Sequence, residues 1–104
     1  MTVNAQAETD AVYLWLARRT IHAGRWLEGL EKAIEGLSDF PTRWSLARES
    51  REFEEPVRQL LHGKSPHAYR VLFIVRASVV SVLHVRHGAR LELVDEESMF
   101  PNDE

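Results

Sequence analysis

The residues best suited to chemistry are concentrated between Pro56 and Arg90. This stretch holds six basic residues and no acidic one, together with four of the five histidines of the chain. Arginine offers a rigid fork of donors that fits phosphate and carboxylate groups, and histidine exchanges a proton near neutral pH. The rest of the chain carries seven basic and sixteen acidic residues. Such segregation of charge indicates a face that meets an anionic partner.

Five residues of this stretch are candidates for the anion-binding surface, namely Arg58, Arg70, Arg86, His87 and Arg90. Three of them, Arg70, Arg86 and His87, are also the candidates for catalysis. The first three arginines lie on consecutive predicted strands. By strict alternation Arg86 shares a face with Val82 and His84, and the arginines can emerge together at one end or face of the sheet.

A structural role for the same arginines stays open. In that interpretation each arginine pairs with an acidic side chain and the network is neutral; the partners would come from Glu52, Glu54, Glu55 or the acidic segment 92–97. His84 stands between two apolar residues, which is more typical of a packed sheet residue than of a catalyst. His87 is followed by glycine at the end of a strand, where a side chain can be exposed. A functional and a structural role are therefore both open for His87.

No cofactor and no metal site are expected. The chain has no cysteine, so disulfides and thiolate ligands are excluded. Only His84 and His87 have compact ligand spacing, and strict alternation sends them to opposite faces of a strand. No nucleophile elbow of the hydrolase type is present.

Two helices precede the basic stretch. The first is predicted from Ala5 to about Arg19, with Asn4 as its N-cap. The second runs from about Ile21 to Leu37, and its apolar positions follow helical spacing. They form a stripe that should be buried against the strands: Trp26, Leu30, Ile34 and Leu37.

Three strands are predicted after the helices, at Val57–Leu61, Tyr69–Val75 and Val79–His87, with a turn at Ala77 and Ser78. The fold class is therefore α+β, an N-terminal helical hairpin packed on a small antiparallel β-meander. Residues 1–104 form one domain, and the acidic tail 92–104 is predicted to be loose. No signal peptide or membrane segment is recognised, so a cytoplasmic location is expected.

Four segments of the chain, in this order, resemble consecutive blocks of the RelE/ParE toxin superfamily: RWLEGLEKAIEGLSDFP (Arg25 to Pro41), VRQLLHGK (Val57 to Lys64), YRVLFIV (Tyr69 to Val75) and VLHVRHGAR (Val82 to Arg90). Members of this superfamily are often called plasmid stabilization proteins. The resemblance implies the same α+β fold with a further strand before the first helix. Here only Thr2 and Val3 precede Asn4, so that strand is predicted to be short or missing.

The resemblance also implies a partner and a target. The partner is a cognate antitoxin whose extended region wraps the toxin; Trp15, Phe40 and Trp44 are the candidate contacts, and an oligomer with the antitoxin is expected. Members similar to ParE inhibit DNA gyrase, whereas members similar to RelE cleave mRNA on the ribosome. Arg70 stands where the ribonucleases carry a phosphate-binding arginine.

The gyrase inhibitor is the favoured interpretation. Lys64 is the only lysine after Lys32, and no tyrosine follows Tyr69, so residues that the RelE-like ribonucleases use are missing. The first alternative is a ribosome-dependent mRNA endoribonuclease. The second is an inactive toxin fold that survives as a binding module.

Overall fold

The computed structural model describes residues 1–63 and 68–88. Helix α1 spans Val3–Ala17 and helix α2 spans Ala23–Glu35. The strands are β1 at Arg58–His62, β2 at Tyr69–Arg76 and β3 at Val79–His87. They form one antiparallel meander in the order β1-β2-β3. This arrangement confirms the predicted α+β fold.

Helix α1 begins two residues earlier than predicted, because Thr2 and not Asn4 is its N-cap. The Thr2 backbone is extended and its hydroxyl accepts a hydrogen bond from the N–H of Ala5 at 3.1 Å, which satisfies one of the free N–H groups of the first turn. No strand precedes α1 in the described residues. The N–H of Thr2 instead donates to the carbonyl of Val82 in β3 at 2.9 Å, so the chain meets the sheet edge without forming a strand.

Helix α2 is amphipathic and presents its apolar stripe to the sheet, as predicted. Leu30 of α2 and Leu37, which lies in the 3-10 turn Gly36–Ser38 after the end of α2, are fully buried with Val71, Phe73 and Val82 of the sheet. Trp26 and Ile34 pack against the same cluster. This face of the sheet, which we call the helix face, holds the main core.

The turn between β2 and β3 is tight because Ala77 and Ser78 both adopt positive φ, at 49° and 70°. Two consecutive left-handed residues give a turn whose twist matches that of the flanking strands. The turn lies where the sequence predicts it.

Strand β3 contains a bulge that changes its parity. Leu72 pairs with His84 but Phe73 pairs with Val82, so Leu83 is an extra residue in β3. Val82 and Val85 consequently both belong to the main core on the helix face. The expectation that Val82 shares a face with Arg86 was therefore wrong, since strict alternation holds only along an uninterrupted ladder.

The opposite side of the sheet, which we call the far face, is covered by irregular chain. A small apolar cluster lies there: Ala47, Val57, Leu72 and Ile74. Segment 45–52 crosses this face, held by hydrogen bonds from Ala47 N–H to the Val57 carbonyl at 2.7 Å and from Gln59 N–H to the Ser45 carbonyl at 3.0 Å. It includes a short 3-10 helix at Arg48–Glu52. Among residues 1–63 and 68–88, neither helix is long and apolar enough to cross a membrane.

Candidate anion-binding and partner-binding sites

Arg70 lies on the far face of β2 and is almost fully buried, at 4% exposure. Its two terminal nitrogens donate to the two carboxylate oxygens of Glu49 at 2.9 and 2.6 Å. Its Nε and one terminal nitrogen also donate to Oε1 of Gln59, at 3.1 and 2.9 Å. Each of the three guanidinium nitrogens therefore has a protein acceptor, as a buried arginine requires.

Glu49 is the partner that the sequence did not indicate. The acidic residues expected to pair with the arginines were Glu52, Glu54, Glu55 and those of segment 92–97. The buried partner is instead Glu49, near the start of the 3-10 helix at Arg48–Glu52. The hydrogen-bonded guanidinium of Arg70 lowers the pKa of the Glu49 carboxyl below its usual value. Glu55 does pair with an arginine, but with Arg76, in an exposed contact at the end of β2.

Arg86 is directly opposite Arg70 across the β2–β3 ladder. Like charges in that position repel each other, and the Glu49 carboxylate lies beside both guanidinium groups. The contact of Arg86 is looser, because its terminal nitrogen is 3.8 Å from Glu49 and 37% of its side chain is exposed. Of this pair, Arg86 is the arginine that solvent and a partner can reach.

The structure separates Arg58 from the other two arginines. Arg58 pairs with Phe73 and so projects toward the helix face, whereas Arg70 and Arg86 lie on the far face. Its guanidinium donates to the carbonyl of Trp44 at 2.7 Å. The predicted grouping of three arginines is thus reduced to two, because strand parity sends Arg58 to the opposite side.

His87 is buried on the helix face, at 6% exposure. It pairs with Tyr69, and their rings meet edge to face with centroids 5.0 Å apart. The ring of Trp26 also meets that of Tyr69 edge to face, with centroids 5.3 Å apart. His87 is therefore part of an aromatic row in the core and lies on the opposite face from Arg86.

His84 is engaged with helix α1. Its Nδ1 is 3.1 Å from the carboxylate of Glu8, and the other oxygen of Glu8 accepts a hydrogen bond from the N–H of Val85 at 2.8 Å. The remaining candidate, Arg90, and the acidic segment from Glu92 onward lie outside the described residues. Within the described ranges, no group of three metal-ligating side chains is assembled.

The three candidate antitoxin contacts differ in accessibility. Phe40 is 68% exposed and adopts a left-handed backbone with φ of 62°. Trp44 is half-buried against the main core, and its indole N–H meets no acceptor in the described part of the chain. Trp15 is half-buried, with the guanidinium of Arg19 4.0 Å above its ring. Phe40 is thus the candidate whose ring is most open to a partner.

The two edges of the sheet are also unequal. At the edge of β3, Thr2 and Glu8 hydrogen-bond to the main chain of residues 82–85. At the edge of β1, Leu46 forms a bridge with Arg58, but beyond Gln59 no strand pairs with the outer side of β1 in the described residues. Leu61, on this part of β1, is 59% exposed.

Two helices packed on a three-stranded antiparallel meander, with the chain entering at the edge of the last strand, define a RelE/ParE-like toxin fold. The sequence matches the family model described as "ParE toxin of type II toxin-antitoxin system, parDE" over residues 1–92. The chain therefore belongs to the ParE toxin family of type II toxin–antitoxin systems. Neither a curated protein nor a solved structure matches it.

Proposed function

We propose that this toxin acts by inhibiting DNA gyrase and is neutralised by a cognate antitoxin. The observation that carries the proposal is the match to the ParE toxin family over residues 1–92. Gyrase acts on cytoplasmic DNA, so the proposed site of action is the cytoplasm.

The contacts of the candidate residues favour inhibition by binding over RNA cleavage. Cleavage through a 2′-hydroxyl needs a base, an acid and cations that face the phosphate. Arg70 is committed to Glu49 and Gln59, and the ring of His87 is packed against Tyr69 in the core. A binding surface requires none of these groups to be available for proton transfer.

In this proposal Arg86 is the arginine that binds the target, and Arg70 has a structural role. Arg86 keeps 37% of its side chain exposed beside Glu49. Its planar fork can bind a carboxylate or phosphate of the partner. Arg70 and Glu49 hold segment 45–52 against the sheet and so fix the surroundings of Arg86.

The first test is induced expression without an antitoxin, with a reporter of DNA damage and a direct assay of mRNA cleavage. The proposal expects growth arrest with a DNA-damage response, and inhibition of supercoiling by purified gyrase. Growth arrest with mRNA cleavage and no damage response would instead establish the RelE-like ribonuclease. Absence of arrest from a folded, well-expressed chain would establish the inactive binding module.

Two arginine variants locate the working surface. Arg86→Ala is expected to lose gyrase inhibition while unfolding at nearly the same urea concentration as the parent. Arg76→Ala is the matched control, because Arg76 is 70% exposed and pairs only with Glu55 in the described residues. Equal loss of inhibition in both variants would point to overall charge, and retention in both would remove Arg86 from the proposed surface.

The antitoxin is proposed to add a strand along the outer side of β1, with Leu61 and Phe40 as apolar contacts. Strand alternation points the N–H of Leu61 to the same side as that of Gln59, which bonds outward to Ser45. Leu61→Pro removes this donor, whereas Leu61→Ala keeps it. The proline variant should bind the cognate antitoxin, taken as the product of a small reading frame next to this gene, far more weakly than the alanine variant does. Equal binding of the two variants would place the antitoxin elsewhere on the toxin.

A further inference from the structure

Strand β3 has an edge that would attract another strand if it were open. Residues Val79 to Val85 read Val-Val-Ser-Val-Leu-His-Val, with neither a formal charge at neutral pH nor a proline or glycine. Uncharged, β-branched runs of this length pair readily with copies of themselves when their edge is exposed. Val79, at the start of this run, is 62% exposed.

The main-chain groups on the outer side of β3 are nevertheless occupied around the bulge. The carbonyl of Val82 accepts from the N–H of Thr2 at 2.9 Å, and the carbonyl of Leu83 accepts from the Thr2 hydroxyl at 3.2 Å. The N–H of Val85 donates to Glu8 at 2.8 Å. All three bonds come from the N-terminal end of α1 and from its cap, not from a strand.

Glu8 has a particular position among these contacts. It is the acceptor for the outward N–H of Val85, and its second oxygen holds the ring of His84 at 3.1 Å. Glu8 and His84 are only partly exposed, with 33% and 23% of their side chains accessible. The single carboxylate of Glu8 thus contacts both the N–H of Val85 and the ring of His84 at the bulge.

We propose that Glu8 is an edge lock that keeps β3 from pairing with β3 of a second copy of this chain. Its carboxylate occupies the N–H that a second strand would bind, and it draws α1 across the place where that strand would lie. This inference rests on the contacts of Glu8 and is independent of the target of the toxin. It assigns the acceptor oxygen of Glu8 that binds the Val85 N–H to the control of self-association, an edge problem that natural sheets solve by blocking the edge strand.

Glu8→Ala tests the lock, with the variant made by cell-free synthesis to avoid toxicity. We expect light scattering coupled to size exclusion to show a concentration-dependent shift from the mass of one chain to that of two or more. Glu8→Gln keeps a side-chain oxygen for the N–H of Val85 and should remain monomeric. Asp10→Ala is the matched control, because Asp10 is exposed on the same helix and its side chain bonds only Gln6 in the described residues.

A double variant separates association from misfolding. Glu8→Ala combined with Val79→Lys lacks the lock but adds a charge to the strand, so it should be folded and monomeric. A Glu8→Ala chain that stays monomeric with a native circular dichroism spectrum would refute the lock. So would self-association of the double variant, or a double variant that fails to fold, because the defect would then not be pairing through the β3 edge.

Discussion

The two faces of the sheet are stabilised in different ways. On the helix face, Phe73 and Val71 are fully buried under Leu30 and Leu37, and the contacts are apolar. On the far face, a cluster of four apolar residues is buried together with the ion pair of Arg70 and Glu49. Hydrophobic burial is non-directional, whereas a buried charge needs one specific partner. The far face therefore depends more on one specific pairing of residues than the helix face does. It should be less tolerant of a single substitution at either of its buried charges.

The helix face should show the largest loss on truncation. Phe73→Ala removes a ring with no exposed surface and is expected to lower the free energy of unfolding by about 3–5 kcal/mol. Ile74→Ala, the next residue and on the far face, is 6% exposed and should cost less because the thin cover can collapse onto the gap. Urea unfolding of the two variants checks the order, and a larger loss for Ile74→Ala would reverse the comparison.

The far face should be sensitive to the loss of one charge alone. Glu49→Ala leaves the guanidinium of Arg70 buried without its carboxylate and is expected to cost about 3 kcal/mol. The double variant Glu49→Ala with Arg70→Met removes the unpaired charge and should recover part of the loss. Denaturant unfolding of both variants makes the comparison. If the double variant is no more stable than the single one, the loss comes from packing of segment 45–52 and not from an unpaired charge.

The same pair should make stability fall in acid. Arg70 lowers the pKa of Glu49 below its usual value of 4.5, so the unfolded chain takes up the proton first as the pH decreases. The stabilisation by ionised Glu49 is complete above the unfolded pKa and is lost as the pH falls through the lower, folded pKa. Urea midpoints of the parent and Glu49→Gln should accordingly converge below about pH 4.5. A difference that is constant from neutral to acid pH would show that the Glu49 charge is not its source.

Arg86 should contribute less to stability than the buried pair of Arg70 and Glu49. Its 3.8 Å contact with Glu49 is partly exposed, so Arg86→Ala is expected to lower the free energy of unfolding by no more than about 1 kcal/mol. Arg76→Ala, at an exposed ion pair with Glu55, should cause no measurable change. Thermal unfolding measured on both variants checks this. A loss for Arg86→Ala as large as that for Glu49→Ala would make Arg86 a full member of the buried pair.

The sequence by itself determined the elements and the main core. Helical spacing located the stripe of α2, and β-branched runs located each strand end to within one residue, because these periodicities reflect burial on one face. The Ala77–Ser78 turn followed from the interruption between two apolar runs. The resemblance to RelE/ParE toxins, carried by four ordered segments, led to the family that the match over residues 1–92 shows.

Only the tertiary structure decided which charged residues meet. Glu49 lies in a segment without helical or strand periodicity, and its pairing with Arg70 spans 21 positions of the chain. No local pattern therefore predicts this pair. The bulge at Leu83 shifts the parity of β3 and so keeps Val82 in the main core. Glu8 meets Val85 across 77 positions. Local patterns record which face of an element is buried, but the partner of a charge depends on distances that exist only after the chain has folded.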